Sequence, residues 1–266
     1  MPIAAAAMLE SGSNVLQLSF AEADPAKVLA GIDRFFAPSD ALVSAGEIVV
    51  PHLFVSDMDS TMIGQECIDE LADYAGIKDQ IAAITERAML GELDFASALR
   101  ERVGLLAGLD ESAIGQCLDE RIRATPGAKT LVGTLAAQGA RCVLVTGGFH
   151  HFADRVGDDL GFHRVVGNRL EVAQGKLTGG LAGPISDAGT KKATLLDELK
   201  QLGEGATSMG AGDGANDIPM IEAATYGFAY RAKPRARAAA SGRIDRGDLT
   251  AILSLLGIPK REWVTG

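Results

Sequence analysis

Cysteine, tryptophan and tyrosine are scarce: the 266-residue chain holds three, one and three of them, and aromatic residues reach only 5%. Cys67, Cys117 and Cys142 stand far apart and form no C-x-x-C pair. So sparse and odd a set fits a reducing cytoplasm better than a disulfide framework. Long apolar runs are missing too, since no stretch approaches the ~18 residues of a membrane-spanning helix. The opening MPIAAAAMLESG has a short apolar patch without a basic start, and Glu10 follows, which argues against a secretory signal. Positive charge is in deficit, with 25 Lys+Arg against 35 Asp+Glu and a formal net charge of -10. Phosphate backbones need a cationic face, so a general nucleic-acid binder is excluded. The expectation is a soluble cytoplasmic protein, monomer or homodimer, acting on a small molecule without nucleic-acid or membrane partners.

What the chain does have is apolar residues, 47% of the total, and a length that allows one large domain or two modest ones. Short apolar runs at residues 52–56, 141–145, 207–211 and 227–230 read as buried strands. Their lack of polar alternation suggests a parallel sheet covered on both faces. Helical patterns over 129–138, 151–160, 192–202 and 219–224 lie between them, which implies a doubly wound, Rossmann-like α/β core. In such sheets the chemistry sits beyond the carboxyl ends of the strands. Residues 66–123 break the rhythm: Ile68, Leu71, Ala72 and Ala75, then Ile81, Ile84 and Ala88, recur at helical spacing, Gly76, Gly91 and Gly108 mark helix ends, and Asp94 suits an N-cap. The reading is a helical cap at 66–123 inserted after the first core strand, with the core at 51–65 and 124–266. Residues 1–50 form a separate N-terminal segment, with a strand at 14–20 and a helix at 25–36 whose Ile32, Phe35 and Phe36 face inward.

The strongest chemical signal is Asp57-Met58-Asp59-Ser60-Thr61, directly after a strand. Two carboxylates two residues apart project to one side if the extended geometry continues, and such a pair suits a divalent cation plus nucleophile and acid–base duties. A calcium loop would need Gly at its sixth position and Glu at its twelfth, where this chain has Met62 and Ile68. The second signal, Gly212-Asp213-Gly214-Ala215-Asn216-Asp217, closes another strand with close-approach glycines and two carboxylates suited to Mg2+. It is not a dinucleotide fingerprint, because Ala215 stands where a third glycine is needed, and no Walker sequence occurs. Thr146-Gly147-Gly148 offers a hydroxyl beside backbone amides, a ready phosphate cradle. Lys191 and Lys192, each taken alone, read as surface lysines.

Order and spacing bind these pieces together. D-x-D-S-T, T-G-G, Lys and G-D-G-A-N-D in succession resemble the haloacid dehalogenase (HAD) superfamily of phosphohydrolases, over about His52 to Leu256. Glu66-Cys67-Ile68-Asp69-Glu70, Met89, Phe95, Leu99 to Arg102, and Gly167 to Gly179 resemble its phosphoserine phosphatase branch. The resemblance implies hydrolysis of O-phospho-L-serine through an aspartyl-phosphate, the last step of a serine biosynthetic route. It implies Asp57 as nucleophile, Asp59 as acid–base, and Mg2+ held by Asp57, the Asp59 carbonyl and Asp213, with Asp217 supporting from behind. Thr146, where the family commonly has Ser, Gly147 and Lys192 would grip the phosphoryl oxygens, and Asn216 would orient substrate or water. Lys192 is preferred to Lys191 because a small residue and an apolar helix follow it.

Specificity is expected from the cap. On a helix from Asp94, the residues Phe95, Leu99, Arg102 and Leu106 fall within about 60° of one another. A guanidinium inside an apolar stripe either snorkels outward or meets an anion. The resemblance favours the anion, the substrate α-carboxylate, with Glu66 taking the α-ammonium and Met89 and Phe95 beside it. His150 and His151 read as a helix start, Trp263 as a packing residue, and Arg231, Lys233, Arg235 and Arg237 as a solvated basic face. Rival readings are a phosphotransferase of the same fold that passes the group to an alcohol such as homoserine, a signalling receiver domain, and a phosphate sensor without turnover.

Overall fold

The computed structural model describes residues 3–9, 15–90 and 92–265, the side chain of Met89 excepted. Gly91, read above as a helix end, and Asn14 lie outside the described residues. The chain opens with an antiparallel hairpin, β1 (Ile3–Met8) and β2 (Leu16–Phe20), then α1 (Pro25–Phe36) and a two-residue strand β3 (Ala41–Leu42). The first central strand, β4 (Leu53–Ser56), is followed by four helices: α2 (Cys67–Tyr74), α3 (Lys78–Met89), α4 (Phe95–Gly104) and α5 (Ser112–Arg121). Then come α6 (Ala128–Ala137), β5 (Arg141–Phe149), α7 (His150–Leu160), β6 (Arg164–Ala173), β7 (Lys176–Ala182) and α8 (Ala188–Leu202). The chain closes with β8 (Ser208–Gly212), α9 (Ile218–Ala223), β9 (Tyr226–Tyr230), α10 (Pro234–Ala239), β10 (Gly242–Ile244) and α11 (Thr250–Leu255).

The main sheet runs β3-β10-β9-β8-β4-β5-β6-β7, parallel throughout except for its edges, β3 and β7, which pair antiparallel. Its centre is doubly covered, as the apolar runs implied. Successive β4 residues go to opposite faces: Phe54 joins Leu131, Leu144 and Phe152 on one side, while Leu53 and Val55 join Val143, Leu195 and Met220 on the other. Leu53, Phe54 and Val55 are all 0% exposed. No helix among the described residues is long and apolar enough to cross a membrane.

Three features differ from the reading above. First, β6 and β7 form a hairpin that short apolar runs did not reveal, because it is half-covered and alternating in burial. It hydrogen-bonds to the stretch after α4: Gly108 N–H to Leu177 O at 2.8 Å, Leu177 N–H to Leu109 O at 2.9 Å, and Glu111 N–H to Gly175 O at 2.9 Å. Second, the N-terminal segment does not stop short of the core. β3 extends the main sheet, and the Asp40 carboxylate accepts the backbone N–H groups of Asp245, Arg246 and Gly247 at 2.8–2.9 Å. Third, Phe35 and Phe36 point outward, 72% and 70% exposed. Helix α1 docks through half-buried Val28, Leu29 and Ile32 and through Asp33, paired with Arg237 and Arg243, a face that leaves the rings of its last turn uncovered. Trp263 packs as expected, its Nε1–H donating to Ile258 O at 3.0 Å.

Candidate active site

Strands β8, β4 and β5 are neighbours in register, with Ser56 opposite both Ala211 and Leu144, so the turns that follow them meet at one sheet edge. There Asp57, Asp59, Thr146, Gly147, Gly148, Asp213 and Asn216 line a cavity of about 270 Å³. From above, α2 and α4 contribute Glu66, Cys67, Ile68, Phe95, Leu99 and Arg102. The structure therefore brings together most of the residues singled out from sequence. Met89 ends α3, but its side chain is not among those described.

The base of the cavity is crowded with buried carboxylates. Asp57, at the end of β4, is tied to β8 by its N–H on Ala211 O at 2.9 Å, and its side chain is held by Lys191 Nζ at 2.6 Å. Lys191 also contacts Asp217 Oδ1 at 2.6 Å and is 1% exposed. Burial alone would depress this ammonium; Asp57 and Asp217 outweigh it, and Lys191 stays charged with its pKa above the usual lysine range. Burial pushes the Asp57 carboxyl up, against the pull of Lys191.

Lys192, chosen from sequence to grip phosphate, is exposed and lines no part of the cavity. The reason is where α8 begins. Asp187 caps it, accepting Thr190 N–H at 2.9 Å, with Thr190 returning the bond to Asp187 N–H, so the helix starts at Ala188, four residues before the expected 192. The inward face then runs Lys191, Thr194, Leu195 and Glu198, and Lys192 is turned about 100° away from it. That spacing was present in the sequence.

Asp59 stands opposite Asp57 in function. Its Oδ1 accepts Cys67 N–H at 2.9 Å and its Oδ2 the Thr146 hydroxyl at 3.2 Å. Burial raises its pKa against these bonds, which favours the protonated form. Thr146 Oγ1 in turn accepts Gly148 N–H at 2.8 Å. A β-carbon on Gly148 would lie 2.8 Å from Asp59 Oδ2, so glycine is required for this close approach. Behind the loop, Asn168 donates to Gly147 O at 2.8 Å and Ser186 Oγ to Thr146 O at 2.9 Å, anchoring both residues from the hairpin base.

Asp57, Asp213 and Asp217 each place a carboxylate oxygen within 4.8 Å of the others, a hard, all-oxygen donor set fit for a divalent cation. Asp217 is the most engaged of the three: its Oδ2 accepts the N–H groups of Asp213 and Gly214 at 3.1 and 3.0 Å while Oδ1 holds Lys191. It shapes the loop and leaves Asp57 and Asp213 the freer ligands. Burial raises Asp213, opposed first by Lys233, whose Nζ lies 3.4 Å away.

Lys233 is the residue that the sequence reading missed. It is solvated, as the basic-face reading had it, but it also borders the cavity, with its backbone N–H bonded to Asp213 O at 2.9 Å. Arg237 departs from that face and is ion-paired with Asp33 and Asp245. No local pattern marks Lys233, because it reaches the site only through the packing of β9 and α10 beside β8.

On the cap side, Asp94 caps α4 by accepting Ser97 N–H at 2.8 Å. Leu99 and Leu106 are buried, and Phe95 covers Gly147 so closely that a β-carbon there would sit 3.2 Å from Phe95 Cζ. Arg102 makes no ion pair among the described residues; its Nε–H reaches only Ala98 O at 3.3 Å, and burial lowers its pKa. A guanidinium lining a cavity without a counter-ion is an anion receptor. Glu66 faces the same cavity, open to solvent on that side yet crowded by protein on the others. Burial and the charge of Asp59 raise its pKa to about 7.

A family model for haloacid dehalogenase-like hydrolases matches residues 54–222. A phosphoserine phosphatase of Polaromonas sp. is 43% identical over 210 residues, 77% of this chain and 89% of that protein. Another, from Archaeoglobus fulgidus, is 43% identical over 211 residues, 78% of this chain; the chain spans 60% of that relative's length. A solved structure described as a substrate-bound phosphoserine phosphatase complex shares 35% identity and superposes with a TM-score of 0.70, covering 77% of this chain and 97% of that one.

Proposed function

The chain belongs to the haloacid dehalogenase-like hydrolases, within them to the phosphoserine phosphatases, and on that footing we propose that it hydrolyses O-phospho-L-serine to L-serine and phosphate. One observation carries this reading. A single cavity has Asp57, Asp59 and Asp213 at its base, with Lys191 buried against Asp57 just behind it, and Arg102 and Glu66 above. The lower half suits a phosphoryl group, and the upper half suits an amino-acid zwitterion.

In this mechanism a carboxylate oxygen of Asp57 attacks phosphorus, the P–O bond to the serine oxygen breaks, and Asp59 delivers its proton to that oxygen. Water then attacks the aspartyl-phosphate, Asp59 takes up its proton, and phosphate leaves with Asp57 restored. Lys191, Thr146 and the Gly147 N–H hold the phosphoryl oxygens, and Asn216 orients substrate or water. Lys191 has the role first given to Lys192. Arg102 pairs with the α-carboxylate, Glu66 with the α-ammonium, and Phe95 and Met89 close the cavity. Mg2+ is the cation that we assign to the carboxylate cluster, held by Asp57, Asp213 and the Asp59 carbonyl, with Asp217 behind them; when bound it neutralises charge between nucleophile and phosphate dianion. Residues 66–123 act as the substrate-reading cap over a core at 51–65 and 124–266, in a cytoplasmic enzyme of serine biosynthesis.

The test is phosphate release from a panel of phosphorylated small molecules, with Mg2+ supplied or chelated. Phosphoserine is expected to be the best substrate, and chelation to abolish its turnover. Serine released without matching free phosphate when an alcohol is added would establish transfer instead of hydrolysis.

A further inference from the structure

Ser60 sits in the left-handed region at φ 56°, an uncommon place for any residue but glycine. It lies outside the cavity lining, between the two carboxylates of the nucleophile turn and the cap. Its backbone N–H bonds Gln65 O at 3.2 Å, which folds the turn back on the start of α2. Its hydroxyl donates to Glu66 Oε1 at 2.8 Å. Glu66 is the N-cap residue of α2 but makes no side-chain capping bond, so its carboxylate is not committed to the helix. The groups around it pull in different directions: Asp59 and Asp213 repel it, and Lys233 attracts it.

We propose that Ser60 is a positioning residue for substrate selection: its hydroxyl pins one oxygen of Glu66 so that the other faces the α-ammonium of an amino-acid phosphate. This rests on the phosphoserine reading. Glycine would occupy φ 56° with less strain. Serine adds a hydroxymethyl there, and among the described residues its hydroxyl bonds Glu66. Without it, that oxygen of Glu66 loses its tether and the carboxylate is free to turn from the amine position. The loss is expected in recognition of the ammonium, because the Ser60 side chain bonds Glu66 and lines no part of the cavity where phosphorus reacts.

Ser60→Gly suits this test, since glycine accepts the left-handed backbone and the substitution removes the hydroxymethyl that reaches Glu66. A hydrogen bond to a charged group supports an expected rise in KM for phosphoserine of about tenfold, with kcat within about twofold. For 3-(phosphonooxy)propionate, which keeps phosphate and carboxylate but lacks the amine, both constants should stay within about twofold. In a Glu66→Gln background the same substitution should add nothing. Unchanged KM for phosphoserine, or equal losses on the two substrates, overturns the assignment. Wild-type protein that hydrolyses the deamino ester but not phosphoserine overturns the substrate reading itself, and this inference with it.

Discussion

At the scale of single residues, two adjacent lysines separate what sequence pattern conveys from what packing decides. Lys191 is buried between Asp57 and Asp217, whereas Lys192 faces solvent. Lys191→Met is expected to cut phosphate release by about 100-fold or more, in the range seen when one preorganised donor is removed. Lys192→Met should change it less than twofold. Steady-state phosphate release, with melting curves to confirm folding, distinguishes them, and the reverse order would return the role to Lys192. The residue types at this site were legible: Asp57, Asp59 and Asp213 each follow an apolar strand run and need no tertiary knowledge to be suspected. Which lysine turned inward depended on the Asp187–Thr190 cap, which starts the helix four residues upstream of the expected 192. Glu66 shows a second residue-scale effect. Its folded-state pKa, about 7, lies above its ordinary 4.5, so forcing the ionised form costs stability at high pH. That cost disappears as pH falls through 7 towards 4.5. Glu66→Gln, melted in chelator, should therefore be more heat-stable than wild type at pH 8, with the difference gone by about pH 4. A constant difference across that range would show that the carboxylate is not strained by ionisation.

At the scale of elements, the proposed function places specificity in the cap helices, whose residues line the upper part of the cavity. Helix α4 presents buried Leu99 beside half-buried Arg102, whose Nε–H bonds Ala98 O, and the proposed reading gives the arginine the substrate carboxylate as its partner. Arg102→Ala should lower kcat/KM for phosphoserine by about 10- to 100-fold, as expected for loss of a charge-assisted bond. Phosphoethanolamine, which lacks the carboxylate, should be affected only a few-fold. Equal losses on both would show that Arg102 supports the cap rather than reading the substrate. The stripe that carries Arg102 was readable from helical periodicity, because the helix buries one face. The β6–β7 hairpin was not, since alternating half-buried strands lack the apolar runs that mark the centre of the sheet. Yet it bonds the cap at Gly108, Leu109 and Glu111, and through Asn168 it braces Gly147, so it links the substrate-reading and phosphate-holding parts.

At the scale of the whole molecule, the N-terminal segment divides differently from what composition suggested. The hairpin leaves Ile3, Met8, Leu16 and Leu18 exposed, at 40–58%. Residues 33–42, by contrast, belong to the energetics of the core. Asp33 balances Arg243, which is 3% exposed, and Asp40 satisfies three backbone donors after β10. Those contacts span more than 200 residues of sequence, which is why no local pattern revealed them. Breaking a buried ion pair by removing one partner costs about 3–5 kcal/mol. In a chain of this size each kcal/mol shifts Tm by about 2–4 °C. Removal of residues 1–20 should accordingly leave Tm within about 2 °C and kcat unchanged. Removal of residues 1–50 strips Arg243 of its counter-ion and the 245–247 turn of its acceptor, and should lower Tm by about 10 °C or more. Differential scanning calorimetry of the two truncations decides the point. If the longer deletion melts where the full chain does, the acidic residues of the segment are surface ornaments to a core that is complete without them.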